Sequence, residues 1–515
     1  MASSLLETFL TRARQSPERH VLDFEGQRFS AGQLAGHVTA FASALQRRGL
    51  KPGERVALFL ENSPAFVIAY LGTWYAGGVV VLVNTQYRQV ELGHILADAG
   101  ARACVTGAAG AVELSPLKAS LPTLEWLVTV EPSSAPVPWP TVDFDALLAE
   151  GEATASLPLP TGEQLAVLGY TSGTTGRSKG AMLLHRNLLA NVRAVTEAWR
   201  WTDQDRLLLT LPLFHTHGLM VGLHGTLYSG GSVDLRRRFV ASEALTALQE
   251  DASLTMFFGV PTMYGRLVEE ARRSGLRPRA LRLLVSGSAP LSPQLFHDVA
   301  ETFGQRILER YGMTETLMNT TNPYEGERRP GTVGMPYPGQ EARVVDVRTR
   351  QPLPAGETGE IEVRGPHVFA GYWQRPDATA EAFDPEGWFR TGDLGLRDGD
   401  GYFQITGRAR ELIISGGFNV YPREVEEVLA SHPTVAEVAV LGLPDPDFGE
   451  QVVAVVVPRP GPSSPDAQAL VDHCKDRLAS FKKPRRVVFL DALPRNALGK
   501  VQKHLLRERL QATVQ

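Results

Sequence analysis

Cysteine is nearly missing from this 515-residue sequence: only Cys104 and Cys474 occur, far apart and without metal-ligand spacing, which excludes a disulfide framework and a cysteine zinc site. Long apolar runs are missing too. The longest aliphatic stretch, Val79–Val83, has the length of a buried strand and falls well short of a membrane span. Met1 to His20 carries Leu5, Leu6, Phe9 and Leu10 at helical spacing but no apolar block of signal-peptide length, and Glu7 and Glu18 speak against a transit peptide. Charge excess is small. With 52 Lys and Arg against 56 Asp and Glu the net charge is −4, which argues against a general nucleic-acid binder. No internal repeat is visible. What remains is a soluble, cytoplasmic protein of ordinary composition, 43% hydrophobic and 21% charged, too long for a single core.

What is present is a dense polar loop. Tyr170 to Gly180 reads Tyr-Thr-Ser-Gly-Thr-Thr-Gly-Arg-Ser-Lys-Gly. Gly173, Gly176 and Gly180 let backbone N–H groups approach an anion, while Thr171, Ser172, Thr174, Thr175 and Ser178 add hydroxyl donors and Lys179 a point charge. Lys179 is followed by glycine rather than Ser or Thr, so this is not a Walker loop. Leu165 to Leu168 reads as a strand before it and Leu183 to Val192 as a helix after it, the strand-to-helix position at which phosphate is bound.

Helix and strand alternate through much of the chain. Ser30 with Gln33 reads as a capping box opening a helix to Gly49; Arg55–Leu60, Val79–Val83 and Ala103–Val105 read as strands, Pro64–Tyr75 and Gln89–Ala99 as helices. Leu207–Leu211, Leu254–Phe258 and Leu281–Val285 continue the strand pattern, and short strands with Gly and Pro turns follow from Gly331 to about Gly407. The fold class is therefore α/β: a large N-terminal domain of parallel-rich α/β subdomains plus a small β-rich subdomain, spanning 1–408, then a small α+β C-terminal domain, 409–515. From Lys475 to Arg509 eleven Lys and Arg face three acidic residues, a local balance of +8; a solvated basic face and a surface for phosphates both fit it.

The loop resembles the phosphate-binding signature of the adenylate-forming enzymes, the superfamily of acyl-CoA synthetases, luciferases and peptide-synthetase adenylation domains. Further segments carry the same resemblance over about residues 5 to 510. In Tyr311-Gly312-Met313-Thr314-Glu315-Thr316 it implies that Glu315 binds Mg²⁺ and the threonine reaches the α-phosphate, a role that a carboxylate between two hydroxyls suits. In Trp388 to Asp393 it puts Asp393 on the ATP ribose, and in Gly407 to Leu412 it gives Arg408 a ribose or phosphate contact and Arg410 the hinge of a mobile C-terminal domain. Lys500, in Pro494 to Lys500, matches the catalytic lysine of adenylation, which a lysine acetyltransferase can silence. Gly416 and Gly417 match the passage for the pantetheine arm of coenzyme A, and Ser288 belongs with the nucleotide-binding set.

For the acyl substrate the resemblance gives His215, in Leu211 to Leu219, a gating role, although a buried, hydrogen-bonded histidine also fits either imidazole there. Arg282 sits in an apolar strand pattern and needs an anionic partner, either a protein acid or a second carboxylate on the substrate. The segments Leu281–Pro290, Glu309–Thr320 and Phe448–Val457 resemble the malonyl-CoA synthetase branch, which implies that Arg282 holds the distal carboxylate and Met313 lines the acyl site. The expected activity is ATP- and Mg²⁺-dependent joining of malonate or methylmalonate to coenzyme A; a medium-chain or aryl acyl-CoA synthetase and a stand-alone adenylation domain are the alternatives. Arg236, Arg237 and Arg238 read either as a solvated loop or as an extension of an anionic pocket.

Overall fold

The computed structural model describes residues 3–131, 136–171, 178–415, 418–460, 466–475, 477–495 and 500–512. The chain forms two compact units, one of Met1–Ala342 with Val363–Phe389, the other of Arg343–Glu362 with Arg390–Gln515.

Two sheets organise the first unit. Among the described residues one sheet has seven strands in the order Thr141–Asp143, Trp126–Thr129, Ala101–Thr106, Arg55–Phe59, Val79–Leu82, Leu165–Thr171, Lys179–Leu184. All neighbours are parallel except the last two. Val79–Leu82 is buried along its whole length, which is why its sequence is continuously aliphatic rather than alternating. The helix Pro64–Tyr75 starts where Ser63 accepts the Phe66 N–H and proline occupies the first turn, and the Ser30–Gln33 capping box is formed from both sides.

The second sheet of this unit has nine strands among the described residues. Its order is Met335–Pro336, Leu317–Thr321, Leu308–Met313, Leu283–Ser286, Met256–Gly259, Arg206–Leu209, Ser232–Leu235, His20–Phe24, Gln27–Ser30. The central strands run parallel, with Ser286 opposite Glu309, so the chain leaves both strands at one edge, the edge where open α/β sheets take ligands. The opposite edge, where these strands begin, holds Asp205, Thr255 and Arg282.

Two sequence readings shift here. Leu183–Val192 is not all helix: Lys179–Leu184 is a strand antiparallel to Leu165–Thr171, and the helix is His185–Ala198. Ala-Met-Leu-Leu suits either state by composition, and pairing with an existing sheet edge decides it. Likewise the predicted strand Leu281–Val285 is Leu283–Ser286, which leaves Arg282 outside it.

In the second unit, a sheet ends in the antiparallel pair Phe389–Arg397 and Phe403–Arg408. Its C-terminal part is a sheet built on the long hairpin Val435–Asp445 and Gly449–Pro458. Apolar clusters cover both faces: Val425, Leu429 and Leu470 lie on one and Leu506 and Leu510 on the other. No helix among the described residues is long and apolar enough to cross a membrane.

Candidate functional site

The phosphate hairpin is built by sheet pairing. Tyr170 pairs with Gly180 and Thr171 with Lys179 in antiparallel strands, so the loop sequence is followed by a strand and not by a helix, which corrects the strand-to-helix expectation. Ser172, Gly173, Thr174, Thr175 and Gly176 lie outside the described residues. At the end of its strand the Thr171 hydroxyl donates to Glu315 Oε1 at 3.2 Å. Tyr170 is anchored sideways, its hydroxyl donating to Asp98 at 2.7 Å; burial, then that carboxylate, pushes its phenol well up.

Glu315 sits in the turn between Leu308–Met313 and Leu317–Thr321, only 5% exposed. Leu317 takes a left-handed φ of 57° to close this turn, and Gly312 is required because a Cβ there would strike the Leu317 carbonyl. Tyr372 donates a second hydrogen bond to Glu315 Oε1 at 3.1 Å. Burial, then Glu315, drives the Tyr372 phenol upward. Thr314 comes close to the hairpin, since a Cβ on Gly169 would lie 2.6 Å from its methyl group. The donor set of one carboxylate and neighbouring hydroxyls is all hard oxygen, which fits Mg²⁺ shared with phosphates; among the described residues no group of three acidic, His or Cys side chains offers a closed metal cage.

At the same edge of the nine-stranded sheet, Ser288 follows its strand with a left-handed φ of 69°. Its hydroxyl lies 3.4 Å from His217 Nδ1 and 3.4 Å from the Arg310 guanidinium. Arg310 is 3% exposed and Gly287 makes room for it, a Cβ there falling 2.6 Å from the guanidinium carbon. No carboxylate forms an ion pair with Arg310 among the described residues, and its Nε has no hydrogen-bond partner there. Burial lowers its pKa to about 10, against the opposing pull of Tyr337 and Glu309. His217 is buried and held neutral by burial, then by Arg310 and His215. Its turn, His217–Leu223, has the wide π spacing often found at functional sites, whereas His215 stays half-buried. Tyr311 and Met313 are also half-buried, the Tyr311 hydroxyl 4.0 Å from the Met313 sulfur.

Arg282 does not join this group. Its guanidinium donates to both oxygens of Asp205, at 2.7 and 3.0 Å, and to the Trp199 carbonyl at 2.8 Å, at the edge where strands begin. Its charge is compensated inside the protein, which corrects the distal-carboxylate role. Arg236 is likewise paired, with Asp234, and Arg237 with Glu25, so neither extends an anionic pocket. The group that sequence reasoning missed is Arg310. It directly precedes the Tyr311–Thr316 motif, and a charged pair, Glu309-Arg310, within an apolar strand was the available signal.

Within the second unit, Asp393 and Arg408 face each other across adjacent strands, Arg408 Nε 2.6 Å from Asp393 Oδ1, and Asp393 is 2% exposed. Arg410 lies in the turn Ala409–Glu411, its pKa lowered by burial and then by Arg408. Gly416 and Gly417 lie outside the described residues, between the paired strands Ile413–Ser415 and Phe418–Val420. Lys500 is exposed, and its neighbour Val501 forms an antiparallel bridge with Arg495. Three residues on, Lys503 pairs with Glu411 at 3.0 Å and Glu426 at 2.7 Å.

Residues 9–373 match the AMP-binding enzyme family and residues 424–500 the AMP-binding enzyme C-terminal domain. A malonate–CoA ligase of Arabidopsis thaliana is 34% identical, covering 99% of this chain and 90% of the relative. A sulfoacetate–CoA ligase of Cupriavidus necator is 38% identical over 97% of this chain and 96% of its own. The ATP-bound crystal structure of MatB from Rhodopseudomonas palustris superposes with a TM-score of 0.91 at 38% identity, covering 100% of both chains. The acids named for these relatives differ, while ATP and coenzyme A are substrates common to AMP-forming CoA ligases. The chain belongs to the AMP-binding enzyme family and is an AMP-forming CoA ligase.

Proposed function

We propose that the acid is malonate or methylmalonate, activated as an acyl-adenylate with loss of pyrophosphate and passed to coenzyme A as the thioester. One observation carries the choice: Arg310, a buried guanidinium without an acid partner among the described residues, stands beside Ser288 and His217 at the ligand edge of the sheet. A cation so placed is costly unless an anion meets it, and a substrate with a second carboxylate supplies one. Two hydroxyl and imidazole neighbours then add hydrogen bonds to that carboxylate, while neutral His217 adds no competing charge. Two relatives named for small acids with two anionic groups, malonate and sulfoacetate, agree with a pocket of this kind.

The first half-reaction asks mainly for positioning and charge neutralisation around the α-phosphate. Thr174, Lys179 and the hairpin glycines hold the leaving pyrophosphate, Glu315 holds Mg²⁺, which supplies charge neutralisation when bound, Asp393 and Arg408 hold the ribose, and Lys500 steadies developing charge at the acyl oxygen. The second half-reaction brings the thiol past Gly416 and Gly417 after the part of the chain beyond Arg410 turns. The reading includes a cytoplasmic location and a lysine acetyltransferase acting on Lys500, which is exposed.

Pyrophosphate release with ATP and Mg²⁺, measured against malonate, methylmalonate, succinate, acetate and octanoate with and without coenzyme A, tests the reading. Malonate and methylmalonate should lead. Octanoate turning over while malonate fails overturns the substrate class and leaves the CoA ligase chemistry standing.

A further inference from the structure

Tyr372 lies where the phosphate hairpin meets the Glu315 turn, and no motif singles it out. Its segment runs beside the second hairpin strand: the Met182 N–H donates to the Gly371 carbonyl at 2.9 Å, Ala370 N–H to the Met182 carbonyl at 2.9 Å, and Trp373 N–H to the Gly180 carbonyl at 2.8 Å. Ala181 and Tyr372 form an antiparallel bridge. On the other side the Phe369 N–H donates to the Glu315 carbonyl at 2.8 Å. The Tyr372 N–H itself donates to the Thr379 hydroxyl at 2.9 Å, so the backbone under this side chain is held from three directions.

The side chain makes two contacts of opposite charge. Its hydroxyl donates to Glu315 Oε1 at 3.1 Å, the oxygen that also accepts from Thr171. Its ring face carries the Lys179 ammonium 4.9 Å from the centroid. Glutamate and lysine are both long, rotamer-rich side chains, and each is aimed only as well as its neighbours restrain it. Hydrogen-bond partners behind a carboxylate fix its orientation toward a cation, and an aromatic face restrains an ammonium without neutralising it.

We propose that Tyr372 is a positioning residue of the nucleotide site, its hydroxyl aiming the Glu315 carboxylate at the divalent cation that accompanies ATP and its ring presenting the Lys179 ammonium to the phosphates. This rests on the ATP-dependent reading above and adds a residue to it. One tyrosine then sets both charges that meet the triphosphate, and the two roles belong to different atoms.

The roles separate by substitution. Tyr372→Phe keeps the ring and removes the hydroxyl; Tyr372→Leu removes both. Affinity for Mn²⁺ in the ATP complex is read by electron paramagnetic resonance, ATP affinity in EDTA by intrinsic fluorescence, and folding by the thermal midpoint. Tyr372→Phe should weaken Mn²⁺ binding by about 10-fold and leave metal-free ATP binding unchanged. Tyr372→Leu should in addition weaken metal-free ATP binding by about threefold. Unchanged Mn²⁺ affinity in folded Tyr372→Phe overturns the proposal, and so does an equal loss of both affinities that follows the fall in thermal midpoint. The Phe variant carries the test of the hydroxyl if the Leu variant fails to fold. Absence of ATP binding by the unaltered protein would instead defeat the reaction assigned above.

Discussion

The Arg282 guanidinium grips Asp205 through two parallel hydrogen bonds, Nε to Oδ1 at 2.7 Å and Nη2 to Oδ2 at 3.0 Å, while Asp205 is only 3% exposed. The pair spans 77 residues of chain and joins the starts of two strands. Arg282→Met leaves Asp205 as an uncompensated buried charge and should cost about 3 kcal/mol of stability, read from urea unfolding. The KM for the carboxylate should not move. Full stability with a raised KM would return Arg282 to the substrate pocket.

Arg310 should behave in the opposite way. Arg310→Met removes a buried cation that has no acid partner among the described residues, so the fold should tolerate it, while kcat/KM for malonate should fall by about 100-fold and that for propionate should hold or rise. Malonate kinetics unaltered in this variant would remove the second carboxylate from the argument.

Asp393 and Arg408, with 2.6 Å between Oδ1 and Nε, are the pair proposed to hold the ribose. Asp393→Asn weakens an acceptor for two hydroxyls and should raise the KM for ATP by about 10-fold. Because the adenylate keeps its ribose, thioester formation from supplied acyl-adenylate should suffer too. A loss confined to pyrophosphate release would place Asp393 elsewhere in the reaction.

In the proposed mechanism Lys500 serves the first half-reaction alone. Lys500→Ala should slow pyrophosphate release by about 100-fold, since one preorganised positive charge is lost from the developing transition state. Thioester formation from supplied malonyl-adenylate should be nearly untouched, and equal loss in both steps would contradict the assignment. Lys179→Met should show the same asymmetry.

Acid should destabilise the first unit. His185 and His224 are buried, and burial holds both imidazoles neutral with pKa values of about 3, against 6.5 as the ordinary value. Unfolding below pH 6.5 takes up protons that the folded state refuses, so the stability these groups contribute is full above pH 6.5 and is lost as pH falls toward 3. The loss should reach about 1.4 kcal/mol per pH unit for each histidine. Thermal midpoints from pH 8 to 5 read this directly; a midpoint flat across that range would mean that neither imidazole stays neutral in the fold.

The candidate site residues were named from short local runs of sequence. Thr171 ends a strand, Lys179 begins one, Glu315 stands in the turn between two and Asp393 lies within one, each in a short polar run of sequence that a core element would not carry. Capping at Ser30 and the helix bounds Pro64–Tyr75 and Gln89–Ala99 were legible as well, because a cap and its N3 partner are three residues apart. The hairpin strand Lys179–Leu184 was not, because the edge it joins is a property of the sheet and not of the segment.

The two arginines draw the line between sequence and structure most clearly. The sequence showed Arg282 in an apolar strand pattern and in need of an anion, since burying a bare guanidinium is costly whatever the fold, but it did not single out Arg310. Only the tertiary structure decided which anion. Parallel strand pairing sets Arg282 at the edge where Asp205 begins a neighbouring strand, and Arg310 at the opposite edge, beside Ser288 and His217. A salt bridge is a relationship through space between residues far apart in the chain, and strand direction, not local spacing, brings one arginine to a protein acid and the other to the ligand edge.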